Sequence, residues 1–362
     1  MQGSPSTGAA RPPRPTPSHG LYHGGDLASA QTRFGRHRWL DLSTGINPMP
    51  YPLPALPKRL SARLPDGDLL AALARAAAAA YGLDDPAALA AGAGSQAFIQ
   101  LIPRLVPAGR VLIVGPTYGE HAAAWAAAGH RVMTVAAAEV EGALGQAETL
   151  ILAHPNNPDG RRYDVARLRD WRVRLAAAGG RLVIDEAFAD LTPELSLAPE
   201  AAQLGLIVLR SFGKFFGLAG LRLGFALSAP DFAARLRAAL GPWPVSGPAA
   251  YVGARALQDG AWIAATRAAL GQRAAALDEI LATAGLEIAG GTDLFRLVAT
   301  DDAAALFEHL GRRGILVRDF PDAPRLLRFG LPGSAAAFTR LRRALTTKRT
   351  RAFDLAALRK SA

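Results

Sequence analysis

The 362-residue sequence contains no cysteine, so it forms no disulfide bonds and holds no cysteine-ligated metal ion. The absence of cysteine fits a cytoplasmic protein, which is the location we expect. No run of about 18 uninterrupted apolar residues occurs, and a membrane partner is therefore not predicted. We predict no metal site.

The N-terminal segment lacks the apolar core of a secretion signal. Residues 1–20 are rich in Pro, Gly and Ser, which is typical of disordered chains. We therefore predict a disordered tail over residues 1–20. A proline-rich, irregular arm is expected over residues 21–60, because no regular apolar period is visible there.

Acidic residues are fewer than basic ones, and the formal net charge is +11. The excess is almost all arginine and is scattered along the chain, except for a basic run that we assign to a C-terminal tail over residues 347–362. No zinc finger, basic zipper or helix-turn-helix pattern accompanies it. We therefore expect no nucleic-acid partner, and interpret the arginines as a solvated surface that also serves an anionic substrate and cofactor.

The middle of the chain alternates short apolar runs with helical segments, which predicts an α/β domain with a mostly parallel sheet between helices. We place this large domain at residues 61–248 and a smaller α/β domain at residues 249–346. The predicted strands of the large domain are Arg110–Gly115, Thr149–His154, Arg181–Asp185, Leu206–Arg210 and Leu221–Leu227. Chemistry in such sheets takes place at the carboxyl ends of the strands. In the smaller domain we expect a long helix over about 249–284 and strands near 293–298, 314–318 and 325–329.

Lysine is scarce, and one of the four lysines stands apart from the others. Lys214 follows a buried strand within SFGKFFGLAGLRLG, among Gly, Phe and Leu residues. Desolvation lowers the proton affinity of an amine and makes it a usable nucleophile. Such a lysine suits Schiff-base chemistry, although a solvated surface charge is the commoner role.

The residues around this lysine match the needs of pyridoxal 5'-phosphate (PLP). Ser211 and Arg222 offer a hydroxyl and a guanidinium to a phosphate. Asp185 ends a strand and can pair with a pyridinium nitrogen. Asn157 can bond a ring hydroxyl, and Tyr118 offers a flat face for stacking.

A glycine-rich segment, GAGSQA at residues 92–97, matches the dinucleotide-binding pattern GxGxxA. The preceding DDPAALAA does not resemble a strand, and no acidic residue ends the next strand to hold a ribose. We favour a turn whose backbone N–H groups hold a single phosphate at a helix start.

Taken together, the motifs GAGSQ, PTYGEH, PNNPDG, DEAFAD, SFGKFFGLAGLRLG and LRFG resemble the fold-type I PLP enzymes. The resemblance covers about residues 23–333. It is nearest to histidinol-phosphate aminotransferase and its decarboxylating relative, the threonine-phosphate decarboxylase branch of cobalamin biosynthesis. The segments HGGDL, STGINP and GPWPVSGPA favour the decarboxylase branch.

The resemblance implies the PLP-dependent transferase fold of type I, a homodimer, and roles for individual residues. Lys214 would carry the cofactor, Tyr51 would reach the cofactor phosphate of the neighbouring subunit, and Arg328 would bind the substrate carboxylate. Many relatives have a tyrosine at the position of Phe188, and its loss leaves Asn157 as the main partner of the ring hydroxyl. The remaining implied ligands are Gly94, Ser95, Gln96, Tyr118, Asp185, Ser211 and Arg222 for the cofactor, and His23, Gly45 and Arg318 for the substrate.

Some of these residues also fit simpler structural roles. Arg318 and Arg328 are compatible with surface positions, and His23 and Tyr51 with local packing. Glu120 and His121 are interpreted as polar residues at a helix start, without a catalytic role.

The expected reaction is decarboxylation of L-threonine O-3-phosphate to (R)-1-aminopropan-2-yl phosphate. The alternative is an aminotransferase of the histidinol-phosphate type, which would use the same cofactor site. A non-catalytic regulator built on this fold is a third hypothesis, but residues 1–60 do not resemble a DNA-binding domain.

Overall fold

The computed structural model describes residues 23–346, whose strands form two sheets. The predicted tails at residues 1–20 and 347–362 lie outside the described residues. The larger sheet has the order β2-β8-β7-β6-β5-β3-β4 and the smaller one β1-β11-β12-β10-β9. The strands are β1 Leu40–Leu42, β2 Leu89–Gly92, β3 Arg110–Gly115, β4 Arg131–Ala136, β5 Thr149–Ala153, β6 Arg181–Asp185, β7 Leu206–Ser211, β8 Gly224–Ser228, β9 Glu287–Thr292, β10 Phe295–Ala299, β11 Ile315–Asp319 and β12 Leu326–Gly330.

Helices pack against both sheets, and one further helical stretch covers residues 335–346. None of the helices within residues 23–346 is long and apolar enough to cross a bilayer. Besides the stretch at 335–346, the α-helices are α1 Leu27–Phe34, α2 Arg59–Ala62, α3 Gly67–Tyr81, α4 Ser95–Leu105, α5 Glu120–Ala127, α6 Val140–Ala143, α7 Val165–Ala177, α8 Phe212–Phe215, α9 Pro230–Leu240, α10 Gly247–Gln258, α11 Gly260–Thr283 and α12 Ala303–Gly311.

The larger sheet is parallel from β4 to β7, as the continuous apolar runs predict, and antiparallel at β8 and β2. The prediction that no strand precedes the glycine-rich segment was wrong, because Leu89–Gly92 forms β2. Because β2 pairs antiparallel to β8, this segment is not part of a parallel βαβ dinucleotide unit.

The register of the parallel strands places their carboxyl ends at one edge. Ala153 at the end of β5 pairs with Asp185 at the end of β6, and Asp185 pairs with Leu209 in β7. Side chains that follow these strands therefore converge on a single cleft.

The N-terminal arm is more regular than predicted. Asp26 caps α1 by accepting a hydrogen bond from the N–H of Ser29 at 3.0 Å. Strand β1 then pairs in parallel with β11, with Leu42 opposite Val317. The arm thereby supplies the edge strand of the smaller sheet, a pairing that a three-residue strand does not reveal in sequence.

The long helix predicted at 249–284 is two helices, which meet at Asp259. The Asp259 carboxylate accepts a hydrogen bond from the N–H of Trp262 at 3.0 Å and starts α11. Strand β8 also begins later than predicted, because Arg222 adopts a left-handed conformation, with φ 53°, just before it.

A buried charge network joins β7 to the segment that follows β6. The Arg210 guanidinium donates to Glu186 at 2.8 Å and to Asp190, and all three side chains are buried. Ser196 also donates to Glu186. The two carboxylates depend on this one cation, since burial of an unpaired charge is strongly unfavourable.

We expect Arg210→Met to lower the free energy of unfolding by about 3–5 kcal/mol, because two buried carboxylates lose their counter-charge. Urea denaturation of the PLP-loaded protein measures this. Arg169→Met is the matched control, since the Arg169–Glu200 pair is largely exposed on the arginine side and should contribute about 1 kcal/mol or less. Equal losses in both variants would contradict the assignment.

Candidate active site

The carboxyl ends of the parallel strands bring together the predicted catalytic lysine and three residues predicted to bind the cofactor. Asp185 ends β6, Lys214 lies in α8 directly after β7, and Tyr118 follows β3. Asn157 follows β5 in the loop before α7. The sequence-based placement of these four side chains around one site is consistent with the topology.

Lys214 has an environment that favours the neutral amine. Desolvation lowers its pKa to about 8, the positive charge of Arg328 acts in the same direction, and Asp185 opposes it. The Lys214 Nζ lies 5.9 Å from the centre of the Phe188 ring. A lysine of this kind is a competent nucleophile near neutral pH.

Asp185 has a buried partner that the sequence analysis did not identify. The Nε2 atom of His121 lies 2.9 Å from Oδ2 of Asp185, and both side chains are buried. The other oxygen, Oδ1, accepts a hydrogen bond from the N–H of Ala187 at 3.0 Å. His121 therefore orients this carboxylate, which corrects its interpretation as a mere helix-start residue.

The start of α4 forms a cradle for an anion. The first turn of α4 contains no acidic side chain, and Gly94 supplies no side-chain cap, so the first N–H groups of the helix remain available. A Cβ at Gly94, which has φ 82°, would lie 2.7 Å from Nη2 of Arg222. A Cβ at Gly224 would lie 2.3 Å from the N atom of Ser95. A side chain at either glycine would therefore displace Arg222 or the first N–H of α4, the groups that would hold a phosphate, and the residues present fit PLP.

Gln96 lies in this cradle as expected, and its side chain makes two contacts that the sequence does not reveal. Its side-chain Oε1 lies 3.3 Å from the Tyr118 hydroxyl, and its Nε2 donates to Glu120 at 2.8 Å. Its backbone N–H, in the first turn of α4, remains the group that would meet a phosphate. Burial, reinforced by Glu120, raises the pKa of Tyr118 to about 12, so its hydroxyl stays protonated.

Two arginines form the opposite wall of the cleft. Arg318 of β11 and Arg328 of β12 are direct antiparallel partners, so their side chains project from the same face. Burial lowers the pKa of Arg328, and the charge of Arg318 lowers it further. This concentration of positive charge suits a ligand with more than one anionic group.

Arg328 is also held by the protein itself. It donates to Oδ1 of Asn157 at 2.5 Å and to the carbonyl oxygen of Ser43 at 2.8 Å. Its Nε is buried and makes no hydrogen bond within residues 23–346. The arrangement orients the guanidinium and leaves one buried donor for a ligand.

Three other predicted residues lie near the cleft. Within one chain, the Tyr51 hydroxyl lies 3.3 Å from Oδ2 of Asp259, and its ring packs edge-on against Trp262. Its predicted reach into a neighbouring subunit stays a prediction. A Cβ at Gly45 would meet the Phe295 ring at 2.9 Å. His23 lies beside Tyr118, with ring centres 5.7 Å apart.

The known proteins that this chain resembles are consistent with the cofactor site described above. The family model "Aminotransferase class I and II" matches residues 38–345. The chain is 46% identical to a threonine-phosphate decarboxylase of Pseudomonas aeruginosa and 47% identical to one of a Sinorhizobium species. Each alignment covers 90% of this chain and 97% of the relative.

A solved structure shares the fold. Histidinol-phosphate aminotransferase of Sinorhizobium meliloti, determined in complex with pyridoxal-5'-phosphate, superimposes with a TM-score of 0.74. The sequences are 23% identical, and the match covers 90% of this chain and 94% of that one. At this identity the likeness establishes the architecture, with a mostly parallel sheet between helices as predicted.

Proposed function

The chain belongs to the aminotransferase class I and II family, and we propose that it is a PLP-dependent lyase acting on L-threonine O-3-phosphate. The products are (R)-1-aminopropan-2-yl phosphate and carbon dioxide, in cobalamin biosynthesis. The high identity to two threonine-phosphate decarboxylases over nearly their whole length supports this reaction. The observation in the structure that carries it is the pair of arginines on adjacent strands, of which Arg328 bonds Asn157 and acts on Lys214, and Arg318 acts on Tyr118.

PLP, when bound, withdraws electrons from the α-carbon of an amino-acid substrate. Lys214 would hold it covalently, with Asp185 at the pyridine nitrogen and Asn157 at the ring hydroxyl. Tyr118 would stack on the ring. The phosphate would lie at the start of α4, held by Gly94, Ser95 and Gln96 together with Ser211 and Arg222.

The cations of the cleft would decide which bond of the substrate breaks. Only a bond perpendicular to the cofactor ring is activated for cleavage, so the anchoring of the carboxylate and phosphate selects the carboxylate bond over the C–H bond. Arg328 would orient the carboxylate, and Arg318 with His23 would hold the phosphate near Gly45. After carbon dioxide leaves, Lys214 is placed to return a proton to the α-carbon.

We further propose that the enzyme is a cytoplasmic homodimer, with Tyr51 completing the phosphate site of the partner subunit. Apolar side chains are exposed on the segment that follows Tyr51, notably Leu53, Leu56 and Leu64. Trp243 is exposed as well. Three exposed leucines within one short segment support contact with a second copy of the chain.

Cofactor loading should follow the protonation state of Lys214. Because the pKa is lowered to about 8, the neutral fraction of this amine rises as pH rises through 8 rather than 10.5. We expect the rate at which the apoprotein captures PLP, followed by absorbance, to increase from pH 6.5 and level off above about pH 9. A rate that is still climbing steeply at pH 10 would be incompatible with a desolvated Lys214.

Carbon dioxide release from L-threonine O-3-phosphate in the absence of any keto acid tests the proposed function, since a decarboxylase needs no amino acceptor.

A further inference from the structure

We propose that Glu120 positions His23 to bind the phosphate of the substrate, and so selects phosphorylated ligands. The inference rests on the proposed function and adds a positioning residue to it. Glu120 touches neither Lys214 nor the arginines of the cleft, and acts through the imidazole of His23.

The contact between the two side chains joins the N-terminal arm to α5. Nε2 of His23 lies 2.9 Å from Oε1 of Glu120. The Glu120 side chain is 14% exposed and that of His23 is 45% exposed. Within residues 23–346 the other ring nitrogen, Nδ1, makes no hydrogen bond, so it is the one left for an anion.

The carboxylate of Glu120 is itself fixed from the opposite side. Its second oxygen, Oε2, accepts from Nε2 of Gln96 at 2.8 Å and from Nε2 of Gln100 at 3.4 Å. Glu120 also begins α5, where the helix dipole favours a negative charge. One oxygen is therefore held by α4 and the other by the arm, which makes Glu120 a rigid support for His23.

The backbone next to His23 is anchored against the arginine wall. The N–H of Gly25 donates to Oγ of Ser43 at 2.7 Å, and a Cβ at Gly24 would lie 2.3 Å from the carbonyl oxygen of Ser43. The same carbonyl accepts from Arg328 at 2.8 Å. His23 is thus held between the side chain of Glu120 and the substrate-binding wall.

The charges of this arrangement explain why a histidine lies between Glu120 and the cleft. A bare carboxylate near a phosphate would repel it, whereas an imidazole placed between the two groups can direct one ring nitrogen to the carboxylate and the other to the phosphate. Without Glu120, His23 would lose the contact that fixes the orientation of its ring. Loss of Glu120 should therefore weaken the binding only of ligands that carry a phosphate.

The test uses the PLP-loaded enzyme, the product (R)-1-aminopropan-2-yl phosphate, and its unphosphorylated counterpart 1-aminopropan-2-ol, with dissociation constants from isothermal titration calorimetry. Glu120→Gln should weaken binding of the phosphate-bearing ligand about tenfold and leave that of the alcohol unchanged. With L-threonine O-3-phosphate, KM should rise about tenfold while kcat changes less than about twofold. Glu194→Gln, an exposed glutamate outside the cleft, is the control.

A double-mutant cycle separates positioning from a general disturbance. His23→Ala should weaken binding of the phosphate-bearing ligand by a similar factor, and the double variant should lose no more than either single one. Cofactor affinity, measured by absorbance titration, should stay unchanged in all variants.

Equal weakening of both ligands by Glu120→Gln, or no weakening of either, would overturn the positioning role. Additive effects in the cycle would do the same, because they would show that the two residues act independently. If wild-type enzyme bound the two ligands equally well, the proposed function would fail together with this inference.

Discussion

Replacement of Lys214 by alanine is expected to lower kcat for decarboxylation by more than about 10⁴-fold, because one residue holds the cofactor and returns the proton. The other lysine within residues 23–346, Lys58, lies in the loop before α2. The described part of the chain therefore brings no second primary amine to the carboxyl ends of the parallel strands. Turnover of L-threonine O-3-phosphate by PLP-loaded protein measures the effect.

Lys58→Ala is the matched control, since Lys58 is exposed. It should retain wild-type activity. Circular dichroism and absorbance would establish that the Lys214 variant is folded and still takes up PLP. More than about one per cent of wild-type turnover in that variant would show that another group does the chemistry.

The second large effect should come from Arg328. We expect Arg328→Lys to reduce kcat/KM about 100-fold, because a lysine cannot replace the planar guanidinium that bonds Asn157 and Ser43 and still presents a donor to a carboxylate. Lysine keeps the charge, so the loss would report geometry rather than electrostatics. Steady-state kinetics with L-threonine O-3-phosphate measure it.

Arg318→Ala should act differently, by weakening affinity for the phosphorylated substrate. Arg325→Lys serves as the control for both, because Arg325 is mostly exposed and pairs with Asp301 at the surface. If Arg318→Ala left the affinity for L-threonine O-3-phosphate unchanged, its assignment to the substrate phosphate would be wrong. If Arg328→Lys were fully active, the carboxylate would have to be bound elsewhere.

The sequence predicted the central strands well, because a strand buried on both faces is a continuous apolar run. Strands β3 and β6 have the predicted bounds. Two edge strands were not predicted, because they lack such a continuous apolar run. Strand β4 is largely exposed along one edge of the larger sheet, and β9 contains two consecutive glycines, so neither shows the apolar pattern of a buried strand.

The polar contacts of the site could not be predicted in the same way. His121 and Asp185 are 64 residues apart, and His23 and Glu120 are 97 apart. Each pair meets only because separate elements converge on one cleft. The apolar periodicity of the sequence predicts the elements but not which of them come together. The signal that was present is the spacing in PTYGEH, which places Glu120 and His121 one helical turn or less from Tyr118.

The most direct test of the central claim is the gas released by PLP-loaded protein from L-threonine O-3-phosphate, with no keto acid present. We predict sustained carbon dioxide release and one equivalent of (R)-1-aminopropan-2-yl phosphate for each molecule released. No carbon dioxide, together with turnover of histidinol phosphate once 2-oxoglutarate is added, would contradict the decarboxylase assignment and show an aminotransferase that uses the same cofactor site.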